Sequence, residues 1–318
     1  MSGSAAHVVG EPSGAFPWRD YLAPRHWATW CGIGLFALLA RLPLDRQLAI
    51  GRGLGDALHG LLPSRRRIAR VNVDLAFPDK DEATRAAIVR ESFRESGAAV
   101  AETACVWFRP RAALERVRIE GGEHVDAALA AGRGVILLQA HFTAIDICAP
   151  TIGSRWSAGA VQDEPKNPLY AALLHRQRTR WIHPLIDNRD IRTMVRHLRR
   201  GGIVWYSPDQ SVPAARGGIE TRYFGQPVLS TAGTARIVGM TGAAVIPHVP
   251  VRDATTNRYT LRFLPPVTLP DGDETAATQA VNDLLEAQVR ERPGEYLWAH
   301  RRFKPPTPAV PDPYRRQP

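Results

Sequence analysis

The chain is expected to fold as an α/β protein, a β-sheet covered by helices. Three observations carry that expectation. Beyond residue 120, short apolar runs alternate with amphipathic segments, the pattern of strands joined by helices. Before that, residues 79–108 repeat apolar side chains at three-, four- and seven-residue steps, one face of a long helix. A length of 318 residues with 44% hydrophobic content is enough for one large core or two modest ones.

The elements follow in order. Residues 1–24 are expected to be a flexible N-terminus. Trp27 to Ala40 carries no charge and is mostly apolar, with Arg25 and His26 before it and Arg41 behind. At 14 residues it falls short of the roughly 18–20 that read as a membrane span. Trp27 and Trp30 suit a headgroup boundary. Residues 25–42 are therefore a membrane-anchoring helix, an interfacial helix or a buried helix of the domain. Arg65, Arg66, Arg67 and Arg70 follow as a basic cluster, either a solvated helix face or a contact for an anionic bilayer. In the helix of residues 79–108, Val89, Phe93, Val100, Ala104 and Trp107 share a face, and Asp79, three before Glu82, reads as its cap. Gly97 permits a bend or a close neighbour.

Val135 to Leu138 is a strand candidate, and Ala144 to about Ala149 begins a helix. A further strand lies near Ala158 to Val161. Pro168 to Thr179 and Ile191 to Arg200 read as helices; Arg199, Arg200 and Gly201 stop the second. Ile203 to Tyr206 is a strand, Thr231 to Met240 a helix, and Ala244 to Ile246 a strand that Pro247 should end. Tyr259 to Phe263 and Glu274 to Arg290 complete the set as strand and helix. Residues 305–318, rich in proline, are expected to be extended and mobile.

Forty-one Lys+Arg against thirty-one Asp+Glu give a net charge of +10. That balance favours anionic partners: phosphorylated lipid, a negative membrane face, an acidic protein or nucleic acid. The three cysteines, Cys31, Cys105 and Cys148, are widely spaced with no C-x-x-C, so free thiols in a reducing compartment are expected. Residues 1–17 lack the charged start and apolar core of a secretory signal, which keeps the expected catalytic machinery on the cytoplasmic side.

The chemistry centres on His141-Phe142-Thr143-Ala144-Ile145-Asp146, directly after the strand candidate at Val135 to Leu138. Ligand sites of open α/β sheets lie outside the carboxyl ends of strands. A histidine there, with a carboxylate across the next turn, is a general base with its orienting partner; it can take a hydroxyl proton so that the oxygen attacks an acyl donor. Asp146 would fix the His141 tautomer and raise its pKa. Pro208-Asp209-Gln210 follows the strand at Ile203 to Tyr206 in the same way, which puts Asp209 and Gln210 on the same edge; the plain alternative is a Ser-Pro-Asp turn. Arg189, before the helix at Ile191, suits phosphate or an oxyanion, or is a surface arginine. His300, Arg301 and Arg302, inside Tyr296 to Lys304, could hold a phosphorylated headgroup or face water from a terminal element. There is no G-x-S-x-G, no P-loop, no strand-linked G-x-G-x-x-G and no H-E-x-x-H. No metal and no cofactor is called for.

Taken together these segments resemble the lipid A biosynthesis acyltransferase family, the late lauroyl/myristoyl transferases of Gram-negative bacteria. The likeness runs from Pro24-Arg25-His26-Trp27 through Gly51-Arg52-Gly53-Leu54-Gly55, Arg65 to Asn72 and Phe77-Pro78. Its core signals are the H-x₄-D of His141 and Asp146, Asn167-Pro168-Leu169-Tyr170, Arg189, Pro208-Asp209-Gln210 and Tyr223-Phe224-Gly225; it closes on Tyr296 to Lys304. The resemblance implies a glycerolipid-acyltransferase-like fold, a mixed sheet between helices over residues 43–304, with an N-terminal membrane anchor. It implies acyl carrier protein as the thioester donor and a phosphorylated glycolipid, a lipid A precursor, as acceptor at the inner membrane. His141 and Asp146 would be catalytic, and Arg189, Asp209, Gln210, His300, Arg301 and Arg302 would bind substrate, with no acyl-enzyme. One departure stands out: Ser211-Val212-Pro213 replace a carboxylate that relatives carry after the residue matching Gln210, and the loop to Tyr223 is longer. That leaves room for another acceptor, such as a phosphatidylinositol mannoside. A non-catalytic lipid-binding protein on the same fold is the rival from another class. Nucleic-acid binding ranks last, resting on charge alone.

Overall fold

The structure is a computed structural model that describes residues 16–307 and 309–315. The flexible segment expected at the N-terminus falls mostly on residues 1–15, outside the described residues. Phe16 stacks on Tyr21 and meets Trp30 edge-on.

An N-terminal helical layer comes first: α1 (Trp27–Leu39), α2 (Leu44–Leu61), α3 (Pro63–Ala76), α4 (Glu82–Phe108) and α5 (Pro110–Leu114). The α/β part follows as β1 (Val117–Glu120), α6 (Glu123–Ala130), β2 (Val135–Leu138), α7 (Ile145–Arg155), β3 (Ala158–Gln162), α8 (Pro168–Arg178), β4 (Leu185–Asp187), α9 (Ile191–Arg199) and β5 (Ile203–Tyr206). A hairpin of β6 (Gly218–Tyr223) and β7 (Gln226–Thr231), then α10 (Gly233–Thr241), β8 (Ala244–Arg252), β9 (Tyr259–Phe263) and α11 (Glu274–Glu291), complete the chain.

Seven strands form one sheet in the order β1-β9-β8-β2-β5-β3-β4. Every neighbouring pair is parallel except β8 with β9. The sheet is thus mixed and dominated by parallel strands, with helices on both faces. All four residues of β2 are buried, as a central strand covered on both sides requires. Their side chains alternate: Val135 and Leu137 join Ile147, Ile152 and Leu169 on one face, while Ile136 packs with Met194, Leu198 and Ile237 on the other.

α2 and α4 cross at glycines. A Cβ placed on Gly51 would lie 2.5 Å from the Gly97 carbonyl oxygen, and Gly55 meets the Phe93 backbone in the same way. The Gly51-Arg52-Gly53-Leu54-Gly55 run is therefore a packing motif: Gly51 and Gly55 let two helices touch backbone to backbone, whereas Gly53 has open space. Gly97 answers the same need from α4.

Several expectations need correction. The cap of α4 is Asp81, which accepts from the Thr84 amide, not Asp79. Pro247 does not end its strand. β8 continues to Arg252, because Pro247 pairs with Leu138 at the last position of β2 and the residues beyond pair with β9 alone; the proline marks a change of neighbours. Within the proline-rich tail, Tyr314 is buried. No helix among the described residues is long and apolar enough to cross a membrane. α1 has 13 residues, about 20 Å at 1.5 Å per residue against a hydrocarbon core of roughly 30 Å. Cys31, Cys105 and Cys148 are free thiols.

Candidate functional site

β2 and β5 are adjacent and parallel, with Leu138 opposite Tyr206. His141 and Asp209 each lie three residues beyond that pair, so two loops leaving one sheet edge bring them level. The His141 ring is held by Asp209: Nδ1 sits 2.5 Å from Oδ1, and the His141 amide donates to Oδ2 at 3.0 Å. The Tyr296 hydroxyl donates to the same Oδ2 at 2.8 Å. Asp209 is 1% exposed, whereas the His141 side chain is 30% exposed. The imidazole therefore has a dry, anchored side and an open side. On the open side Nε2 has the Gln210 side-chain nitrogen at 3.4 Å.

The charges reinforce one another. Burial alone would lower the pKa of His141. The Asp209 carboxylate reverses this through its charge and hydrogen bond, with help from Asp163, and the net shift is upward. Burial pushes Asp209 up, but the His141 charge, the two bonds from His141 and the Tyr296 hydroxyl overcome it and hold Asp209 at about 2. Asp209 thus stays ionised, and a donor-bearing Nδ1 leaves Nε2 as the proton acceptor.

Asp146 is placed otherwise than its spacing suggested. It accepts from Arg178 at 2.8 Å and from the Thr103 hydroxyl at 3.0 Å. It makes no hydrogen bond to His141 among the described residues. The reason is topological: Asp146 opens α7 and turns toward α4 and the end of α8, while β5 delivers Asp209 beside the ring. Arg178, whose guanidinium also reaches Gln162 at 3.1 Å, is thereby fixed at the first turn of α7, which Asp146 opens.

The remaining expected residues divide. Asp209 and Gln210 meet His141. His300 is half-buried near them, its Nε2 without a hydrogen-bond partner; burial and neighbouring cations depress its pKa to about 4 despite the pull of Asp209. Arg189 is not brought to the site. Its side chain is 85% exposed and paired with Asp187, and it follows β4, three strands or about 14 Å from β2 at normal strand spacing. Arg301 is exposed, its guanidinium 5.6 Å from the Tyr314 ring centre. Arg302 is a correction: it is buried, bonds the Leu229 carbonyl and the Ser230 hydroxyl, and lies over the Tyr223 ring. A guanidinium so committed holds the hairpin to the C-terminal segment and faces no open surface where a substrate binds.

Sequence reasoning passed over Tyr296 and Arg178. The signal for Tyr296 was its place in the aromatic and basic closing run. Its segment lies along the loop after β2, with Phe142 bridging Tyr296 and the Leu297 amide donating to the His141 carbonyl at 3.1 Å. No groups of His, Cys, Asp and Glu suited to a metal occur among the described residues.

This arrangement is an α/β sheet with a buried carboxylate, an anchored imidazole and an open Nε2 at its carboxyl edge. Residues 18–305 match the family model described as bacterial lipid A biosynthesis acyltransferase. The chain is 32% identical to the lipid A biosynthesis lauroyltransferase of Escherichia coli K12, over 92% of this chain and 96% of that protein. It is 30% identical to the palmitoleoyltransferase of the same organism, over 90% and 94%, and 28% identical to the myristoyltransferase, over 94% of each. The chain belongs to the bacterial lipid A biosynthesis acyltransferase family, and it is an acyltransferase.

Proposed function

We propose that this enzyme moves a fatty acyl chain from an acyl-carrier-protein thioester to a hydroxyl of a phosphorylated lipid A precursor, with His141 as general base and Asp209 as its orienting carboxylate. The observation that carries the reading is the His141–Asp209 pair with Nε2 on the open side. The acceptor hydroxyl gives its proton to Nε2 as its oxygen bonds to the thioester carbonyl carbon. The tetrahedral oxyanion collapses, the carbon–sulfur bond breaks, and the imidazolium returns the proton to the departing thiolate. The new ester and the free carrier thiol balance the equation, and no acyl-enzyme is needed. Buried Cys105, its thiol pushed up to about 11 chiefly by desolvation, is a poor nucleophile. The half-exposed Arg178 guanidinium, pinned by Asp146, is suited to the charge that develops on the carbonyl oxygen. Asp146 thus serves the reaction through Arg178.

The enzyme acts at the cytoplasmic face of the inner membrane in this reading, with α1 as an interfacial helix. Trp27, Cys31, Leu35 and Leu38 recur at helical spacing and are all exposed, while Trp30, Ile33, Phe36 and Leu39 pack on the core. Thr29, on the opposite, core-facing side of α1, accepts a bond from Asn167, the cap of α8, so the helix itself adjoins a loop at the sheet's carboxyl edge while its apolar face is turned outward. A net charge of +10 suits an acidic carrier and a phosphorylated acceptor.

The test supplies purified protein with lauroyl-acyl carrier protein and a panel of glycolipids and reads the products by mass spectrometry. An acylated, phosphorylated glucosamine disaccharide should gain one acyl chain, with no acyl adduct on the protein. His141→Ala should lower the rate by ~10²–10⁴-fold, the usual worth of a general base. An unchanged rate refutes the base assignment; acylation of another glycolipid alone refutes the acceptor.

A further inference from the structure

We infer that Tyr314, in the last described stretch of the chain, is a positioning residue for the catalytic pair, clamping the segment that carries Tyr296. The inference rests on the reading of His141 as base. Tyr314 is 4% exposed although its neighbours in sequence are polar and proline-rich. Its hydroxyl donates to the Asn72 side-chain oxygen on α3 and accepts from the Phe303 amide at 2.9 Å. The amide nitrogen of Asn72, itself wholly buried, donates to the carbonyls of Trp298 and His300, each at 2.6 Å. The chain then runs from Trp298 to Tyr296, from the Tyr296 hydroxyl to Asp209, and from Asp209 to His141. Two arginines of α3 brace the same junction: Arg65 reaches the Ala299 carbonyl and Arg67 the Arg315 carbonyl.

The construction is specific. Residues 296–303 form no helix or strand apart from the single bridge of Phe142 to Tyr296. Their backbone is secured by side chains as well as by backbone bonds such as that from Leu297 to His141, and Asn72 with Tyr314 supplies three of the side-chain bonds. Without the Tyr314 hydroxyl, the Phe303 amide and the Asn72 oxygen lose a buried partner, and Asn72 is free to turn. The slack passes to Tyr296, which otherwise holds Oδ2 of Asp209 while Oδ1 holds the imidazole.

The experiment compares Tyr314→Phe, Tyr296→Phe, the double variant and His141→Ala in the full chain, with lauroyl-acyl carrier protein and the acylated, phosphorylated glucosamine disaccharide as probes. Tyr314→Phe should lower kcat about tenfold through misplacement of the base, with KM for the thioester unchanged. The acid limb of its pH profile should move to lower pH, because Asp209 supports the imidazolium less firmly. The double variant should lose no more than the worse single one, since both act along one path. A lowered melting temperature with kcat and the acid limb unchanged would overturn the inference and leave Tyr314 a packing residue; so would losses that multiply. Failure of the base reading is separable, because it shows as undiminished turnover in His141→Ala whatever Tyr314→Phe does.

Discussion

At the scale of the residue, the structure gives different partners to two aspartates that a linear motif does not distinguish. Asp209 faces the ring and raises its pKa; Asp146 holds Arg178. Their variants should therefore fail differently. In the proposed mechanism the base must be unprotonated, so activity should fall as pH drops through the raised His141 value, which lies above the usual 6.5. Asp209→Asn removes the anion; kcat/KM should drop about 10²-fold or more, with the acid limb displaced to lower pH. Asp146→Ala should cut kcat while leaving that limb in place. Steady-state rates from pH 5 to 9 separate the two, and a shifted limb in Asp146→Ala would reverse the assignment. Stability runs the other way. With its folded pKa raised, His141 contributes stability that is full below its ordinary value and lost as pH rises through the folded one; Asp209, depressed to about 2, loses its share only as pH falls through that value. The sequence made His141 legible because a buried strand precedes it. Asp209 was legible as a neighbour on the same edge, yet its partnership needed the register of β2 on β5, which no local pattern encodes. The closing basic run misled at Arg302, since a charged residue in an aromatic segment looks the same whether it meets substrate or stacks inside the core.

At the scale of the element, strands were readable where burial on both faces made them continuously apolar, as for β2 and β5, and hidden where they were short or polar. β1, Val-Arg-Ile-Glu, and edge strand β4, three residues long, lack such a signal. The β6–β7 hairpin turns at Phe224 and Gly225, both at positive φ. A phenylalanine there is held by its ring, packed against Phe77, Trp298 and the Arg290 guanidinium, not by local preference. The helix crossing is a plainer case. Gly97 has no room for a methyl group against the Gly51 and Gly55 backbone, and backbone cannot rotate aside as a side chain can. Gly97→Ala should destabilise the fold by about 1–3 kcal/mol through overpacking, lowering the melting temperature by several degrees. Gly53→Ala, on the opposite side of α2 with open space, should leave it unchanged or slightly raised. Thermal denaturation of the two variants checks the contrast; equal losses would mean that α2 and α4 can separate without cost.

At the scale of the whole molecule, the proposed reaction requires the fold to deliver a bulky lipid to the imidazole at the sheet's carboxyl edge. A helix docked beside that edge with an apolar face turned outward gives a physical reason for the N-terminal layer. The outward side of α2 continues the theme, with Ile50, Leu54 and Leu61 exposed at helical spacing. Monomeric proteins seldom leave so many large apolar side chains in water unless they meet another surface, and the net charge of +10 adds attraction to anionic headgroups. Two contributions, one apolar and one ionic, should be separable on vesicles of phosphatidylglycerol and phosphatidylethanolamine. Raising salt should weaken association, because exposed charges are screened within about 8 Å at physiological ionic strength, but should leave a residual apolar fraction. Leu35→Asp with Leu38→Asp should abolish that residual binding while the melting temperature holds, since both side chains are more than half exposed and their loss opens no cavity. Turnover of the micellar acceptor should then survive, and turnover of the vesicle-embedded acceptor should fall. Undiminished co-sedimentation of the double variant at high salt would move the membrane face away from α1, to the exposed apolar side of α2 or to surfaces the apolar pattern does not mark.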